Sequence, residues 1–163
     1  HFDLVEALST PLFKQKNLQV YVSTFDNNLI TISKDLRIPK NYFRFERLMI
    51  GIFNKHKNKN SPDLIEFQEN VSFNNLIKKI IRPDLVIGFS VKGTKSKISD
   101  ILRNNTIDTS KNYCLVVGGF QRGHFSEAIT RACNAVYSIS PLSLESHVVI
   151  ARVLYECENN ISS

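Results

Sequence analysis

Apolar residues in this chain keep two rhythms, one with a period near 3.6 and one that alternates or runs unbroken, and they exchange places along its length. "HFDLVEALS" has helical spacing and is stopped by Thr10-Pro11. "LQVYVST" alternates like a half-buried strand, "FDNN" supplies turn residues, and "LITIS" continues as the hairpin partner. "RIPKNYFRFERLMIGIF" predicts a helix with Pro39 in its first turn. Phe45, Leu48, Met49, Ile52 and Phe53 recur there at i, i+3, i+4, i+7 and i+8, which predicts a stripe buried against the core. "NKHKNKNSPD", over 54–63, is polar and basic and reads as a solvated loop. "SFNNLIKKII" predicts a short helix with Ser72 as its N-cap, ended at Arg82-Pro83.

The second half changes character. "DLVIGFS" and "YCLVV" are apolar runs without alternation, the pattern of strands covered on both faces. "SDILRN" predicts a brief helix between them, and "AVYSIS" a last strand. "PLSLESHVVIARVLYECE" predicts a helix from near Ser143. Its apolar positions 144, 148, 150, 151, 153, 154 and 157 occupy too much of the circumference for one stripe. Burial on more than one side is expected, with a second subunit as the natural second side. Strands alternating with helices predict one α/β domain over 1–163 with a largely parallel sheet.

The apolar run at 113–117 opens directly into glycine, "VVGGFQRGHF". Glycine at this point serves either a turn or a close approach of backbone to a ligand at the carboxyl end of a parallel strand. The spacing is neither G-x-G-x-x-G nor a P-loop, because no Lys-Ser/Thr pair follows. His124, within the same loop, is a polar ligand contact or a solvent-exposed residue.

Composition narrows the partner. Lys+Arg total 21 against Asp+Glu 15, a net charge of +6, which favours an anionic partner such as nucleic acid. Cys114, Cys133 and Cys157 are odd in number and far apart, so they suggest neither a disulfide framework nor a metal site. A reducing, cytoplasmic setting is expected. No apolar stretch approaches the roughly 20 residues that span a bilayer. No signal sequence is visible, and neither membrane nor metal is an expected partner. The chain begins at His1 within a helical pattern, so further residues are expected upstream.

Charge has its own geometry on the basic helix. Lys40, Arg44 and Arg47 follow i, i+4, i+7 spacing opposite the apolar stripe, with Arg37 just before. They are either a solvated face balanced by Asp35 and Glu46 or contacts to phosphate, and the one-sign character of the face favours phosphate. Tyr42 and Phe43 are expected to pack in the core, with stacking on bases as the other reading. Asp84 and Asp100 read as ordinary caps. No G-x-S-x-G elbow or triad spacing marks a catalytic residue.

Taken together, "RIPKNYFRFERLM" and "LVVGGFQRGHF", with "LQVYVST" and "SISPLSLES" in the same order, resemble the small-subunit ribosomal pseudouridine N1-methyltransferases. These are ribosome biogenesis enzymes of the SPOUT, or α/β-knot, superfamily, and the resemblance covers nearly the whole chain. It implies a C-terminal trefoil knot, with the hairpin and basic helix as a family-type insertion. It also implies a homodimer, a cytoplasmic or nucleolar setting, and methylation of N1 of a pseudouridine in small-subunit rRNA with S-adenosylmethionine as donor. The implied cofactor contacts fall on Phe89, Gly118, Gly123, Ile139, Ser140, Pro141, Leu142, Ser143 and Leu144. The implied rRNA contacts fall on Arg37, Lys40 and Arg44. An rRNA-binding assembly factor with a silent pocket is the competing reading.

The chain departs from the family pattern in four places. Lys40 stands where arginine is usual, keeping charge but losing the bidentate fork. Arg122 precedes Gly123 where histidine is common. "ISPLSL" shifts the proline of the Ile-x-x-x-Pro-Leu pattern. The Arg-Pro-Asp segment that precedes the first helix in the family is absent from the chain.

Overall fold

The computed structural model describes residues 1–55, 64–105, 111–119 and 123–161, with side chains through Ile52 in the first of these ranges. It divides into two compact units, His1–Ser72 and Phe73–Ser163.

In the first unit, helix α1 (Phe2–Ser9) ends at Thr10, and the Thr10 hydroxyl then accepts from the Phe13 N–H to cap helix α2 (Pro11–Lys14). Thr10-Pro11 therefore stops one helix and starts the next, since proline at the first helical position loses no hydrogen bond. Strands β1 (Val20–Ser23) and β2 (Leu29–Ile32) form the expected hairpin, in register Val20 opposite Ile32. A third strand, β3 (Ile65–Gln68), extends this antiparallel sheet by pairing with β2. Leu29, Ile30 and Ile32 of β2 join Ile65 and Phe67 of β3 in the core of the unit.

Helix α3 (Tyr42–Lys55) starts later than Pro39 suggests. Asn41 supplies the cap: its side-chain oxygen accepts from the Arg44 N–H at 3.1 Å and its carbonyl from the Phe45 N–H at 3.0 Å. A capping carboxamide outweighs a proline that merely tolerates the first turn. The stripe is also less covered than its spacing implies, because Phe45, Leu48, Met49 and Ile52 are only half-buried. Phe53's side chain and the basic loop over 56–63 lie outside the described residues.

The second unit is built on a parallel sheet in the order β5-β4-β6. Strand β4 (Leu85–Lys95) is central, β5 (Tyr113–Val117) pairs with one edge and β6 (Ala135–Ser138) with the other. Val86, Ile87 and Phe89 of β4 are buried, as their unbroken apolar run requires. Strand β5 differs: all its residues are half-buried, so its run marks an edge strand among the described residues rather than one covered on both faces. Strand β4 also outruns its apolar core by several residues, continuing through Ser90–Lys95.

Helices connect and cover these strands. Helix α4 (Phe73–Asn75) widens into π-type turns over Leu76–Ile81, and Arg82 ends it in the left-handed region at φ 49°. Helix α5 (Ile98–Asn104) lies between β4 and β5 in sequence. Helix α6 (Glu127–Ala132), capped by the Ser126 hydroxyl, precedes β6. Helix α7 (Ser146–Ile161) starts three residues after Ser143, and packs on α5 and β5. It sinks only Val153, Leu154 and Cys157, and leaves Tyr155 62% exposed. Among the described residues, no helix is long and apolar enough to cross a membrane.

Candidate functional site

Parallel pairing places Val117, Phe89 and Tyr137 in one row across β5, β4 and β6. Paired residues of adjacent strands project from the same face of a sheet, so three strands deliver side chains to one place. That place is a cavity of about 360 Å³ at the carboxyl ends of the strands. Its size falls within the range of small-molecule pockets. Strand β4 lies between the strands that follow it on either side, and carboxyl ends at such a reversal are where ligands bind in open α/β sheets.

The row is finished by an irregularity in β4. Phe89 and Thr94 both pair with Tyr137, so Ser90–Gly93 are looped out between them, and Ser90 and Val91 reach the cavity wall. Gly93 permits this, because any β carbon there would meet the Tyr137 backbone at 2.5 Å. Gly88 performs a related task beneath the cavity: its missing side chain leaves room for the Phe125 ring, 3.0 Å from where a β carbon would stand.

The glycine loop closes another side. Gly118 and Gly123 both line the cavity, and Gly123 adopts φ +112° with nothing within 4 Å of its absent β carbon. That conformation is one L side chains rarely adopt, and the open space leaves the backbone accessible to a ligand. His124 both lines the cavity and is exposed, which suits either reading of that residue. Phe120, Gln121 and Arg122 lie outside the described residues.

The segment after β6 forms the remaining wall. The buried Ser138 hydroxyl donates to the Ser140 carbonyl at 2.8 Å, and the Ser140 hydroxyl accepts from the Leu142 N–H at 3.0 Å. Ile139, Ser140, Leu142, Ser143 and Leu144 all line the cavity. Pro141 does not, although it lies within the same turn. Glu145 begins helix α7 with its carbonyl accepting from Val148 and Val149, and Ser146 brings the first turn to the cavity. Peptide N–H groups at a helix start favour a negatively charged group nearby.

The structure therefore assembles eight of the nine predicted pocket residues around one cavity, from segments more than fifty positions apart in sequence. Tyr137, Phe125 and Ser90 line it without having been expected. Tyr137 was legible only as part of a strand, and its role follows from pairing with Phe89, which one sequence does not display.

The basic residues occupy the other unit, where Arg37, Lys40, Arg44 and Arg47 are all exposed. Asp35 does not balance them, because it pairs with Lys16 at 2.8 Å. None of the four cations makes an ion pair among the described residues. Tyr42 and Phe43 are 55% and 69% exposed, so the expectation of core packing fails for both. At about 100° per residue, Phe43 lies on the opposite side of α3 from the half-buried Phe45.

Other polar candidates have structural duties. Asp84 accepts from the Asn112 N–H at 2.8 Å, tying β4 to β5, and Asp100 pairs with Arg103 at 2.7 Å. Burial pushes the Cys114 thiol up to about 11, with Cys133 adding to the effect. A thiol held neutral is a poor nucleophile. Among the described residues, no group of three or more His, Cys, Asp or Glu side chains could hold a metal ion.

Comparison with known proteins agrees with this arrangement. Residues 1–158 match the family described as EMG1/NEP1 methyltransferase. The ribosomal RNA small subunit methyltransferase Nep1 of Staphylothermus marinus is 29% identical over 160 residues, covering 98% of this chain and 68% of that protein. The protein of the same name from Methanothrix thermoacetophila is 30% identical over 161 residues, covering 99% of this chain and 69% of the relative. The crystal structure of Archaeoglobus fulgidus Nep1 bound to S-adenosylhomocysteine superposes with a TM-score of 0.75 at 28% identity, covering 98% of this chain and 68% of that one. The parallel sheet with its terminal cavity, and a match that runs through both units, place this chain in the EMG1/NEP1 methyltransferase family.

Proposed function

We propose that this chain methylates N1 of a pseudouridine in small-subunit ribosomal RNA, with S-adenosylmethionine as donor. The broader activity, S-adenosylmethionine-dependent methylation of small-subunit rRNA, is that of the family to which it belongs. The observation that supports the cofactor assignment is the cavity at the ends of β4, β5 and β6, the sheet it shares with a relative solved with S-adenosylhomocysteine. The residues fit such a ligand. Phe89, Tyr137 and Gly118 line the cavity, the Gly123 backbone stands open, and the first turn of α7 reaches the cavity through Ser146.

When bound, S-adenosylmethionine supplies a methyl group on a sulfonium, which leaves without covalent help from the protein. The protein's own task is then positional, since correct alignment alone removes much of the barrier. In this reading Phe89, Gly118, Gly123 and the Ile139–Leu144 turn bind and orient the donor. Arg37, Lys40 and Arg44 hold the RNA backbone, and extrusion of a base from a loop costs less than from a duplex. One functional domain over 1–163, the trefoil knot, the homodimer and the cytoplasmic or nucleolar setting belong to the same proposal.

Two measurements test it: calorimetry with S-adenosylhomocysteine, and transfer of labelled methyl to RNA hairpins containing either pseudouridine or uridine. Binding, with transfer to the pseudouridine hairpin alone, is the expected result. Binding without transfer to either hairpin would favour a silent assembly factor, and absence of binding would remove the cavity from the reading.

A further inference from the structure

Phe43 is a large apolar ring in the first turn of α3, 69% exposed, on the face of the helix that carries the cations. It stands four residues before Arg47, so helical spacing puts the ring on the same face as that guanidinium and away from the Phe45 stripe, with Arg44 about 100° round the helix. Its ring contact among the described residues is with Tyr42, edge-on at 6.1 Å. Tyr42 is in turn held by His1 at 5.7 Å and by Phe45 at 6.4 Å. Phe43 thus rests against an anchored ring and still leaves most of its surface exposed.

The surrounding charge selects the occupant. Arg37, Lys40, Arg44 and Arg47 are exposed and unpaired among the described residues, and Asp35 is already engaged by Lys16. An apolar or acidic protein surface would meet only half of this arrangement. A single-stranded nucleic acid meets both halves, with phosphates for the cations and an unpaired base for the ring.

We infer that Phe43, supported by Tyr42, is a stacking platform for an unpaired base of the bound RNA, flanked by phosphate contacts from Arg44 and Arg47. This rests on the RNA-binding reading above and adds that the helix receives a single-stranded segment. A duplex of the same charge would leave the ring unused.

The test uses the full chain with two RNA probes, a hairpin with an unpaired loop and the same stem closed as a blunt duplex. Phe43→Ala and Phe43→Leu are each expected to weaken hairpin binding roughly tenfold and leave duplex binding unchanged. Phe43→Tyr is expected to retain affinity, because it keeps a stacking face. The dependence of log K on log salt should keep its slope in all three, since no charge is removed, while Arg44→Ala should flatten it by about one unit. The ring is exposed, so unchanged thermal midpoints confirm that the variants fold. Parent-like affinity in Phe43→Leu would overturn stacking in favour of simple apolar contact. Parent-like affinity in Phe43→Ala with a flattened slope in Arg44→Ala would overturn the platform and leave the RNA reading standing. No effect of either Phe43→Ala or Arg44→Ala would overturn both. A changed sedimentation coefficient in Phe43→Ala, with RNA affinity intact, would make this face a contact between copies of the chain.

Discussion

Gly93 and Tyr137 meet backbone to backbone. A β carbon on Gly93 would stand 2.5 Å from the Tyr137 carbonyl carbon and 2.7 Å from both its Cα and its N. No rotamer relieves a clash with main chain, so one strand must move. Gly93→Ala is therefore expected to destabilise the fold at or beyond the upper end of about 1–3 kcal/mol. Because Tyr137 lines the cavity, S-adenosylhomocysteine affinity should fall as well. Urea denaturation and calorimetry on the variant would check this, and parent-like values in both would show that the strands separate freely.

Gly123 poses a different constraint. Its φ of +112° is unfavourable for L side chains, yet nothing lies within 4 Å of a β carbon there. Gly123→Ala should thus cost only backbone strain, about 1–3 kcal/mol, which a shift of the exposed Gly123 and His124 relieves. The loss should appear in cofactor binding, at roughly tenfold or more, with little change in thermal midpoint. A variant that unfolds early but binds normally when folded would contradict this assignment.

Cys157 provides a pH dependence. Burial, reinforced by Glu158 and Glu156, pushes its thiol from the ordinary 9.0 to about 11. The folded protein therefore holds a proton that the unfolded chain releases first. Its contribution is complete below about pH 9 and is lost as pH rises towards about 11. Cys157→Ala, which has no thiol to titrate, should lose less stability over that interval than the parent, by on the order of 2 kcal/mol. Parallel slopes in urea titrations of the two proteins across this range would show that the folded thiol titrates normally.

Helix α7 bears on assembly. At about 100° per residue, Tyr155 lies on the side of the helix away from Val153 and Cys157, and it is 62% exposed. If this side meets a second copy, the parent chain sediments as a dimer at micromolar concentration and Tyr155→Asp as a monomer. A monomeric parent would remove the homodimer from the proposal.

How much of this was written in the sequence depends on how local the cause is. The hairpin at 20–32 and the central strand from Leu85 were legible, because alternation and unbroken apolar runs are properties of neighbouring residues. Strand β3 was not, since "IEFQ" is too short for its alternation to stand out, and it is a strand because β2 offers an edge. The start of α3 was misplaced by taking Pro39 over Asn41, whereas the exposure of Phe43 follows from its place opposite the Phe45 stripe, which spacing alone displayed. Eight of the nine pocket residues were named through resemblance to a family rather than through periodicity. Pro141 shows the limit of that route: it lies in the right turn yet does not line the cavity.

The serine turn after β6 has a kinetic and entropic consequence. Ser138 and Ser140 fix its shape with their own hydroxyls, and the Ser138 carbonyl accepts from the Ser96 N–H at 3.0 Å. Holding a residue's backbone in one conformation costs roughly 1–2 kcal/mol of entropy. Here that cost falls on folding, before any ligand arrives. This wall of the cavity therefore meets its ligand preformed, and association there need not wait for a loop to order.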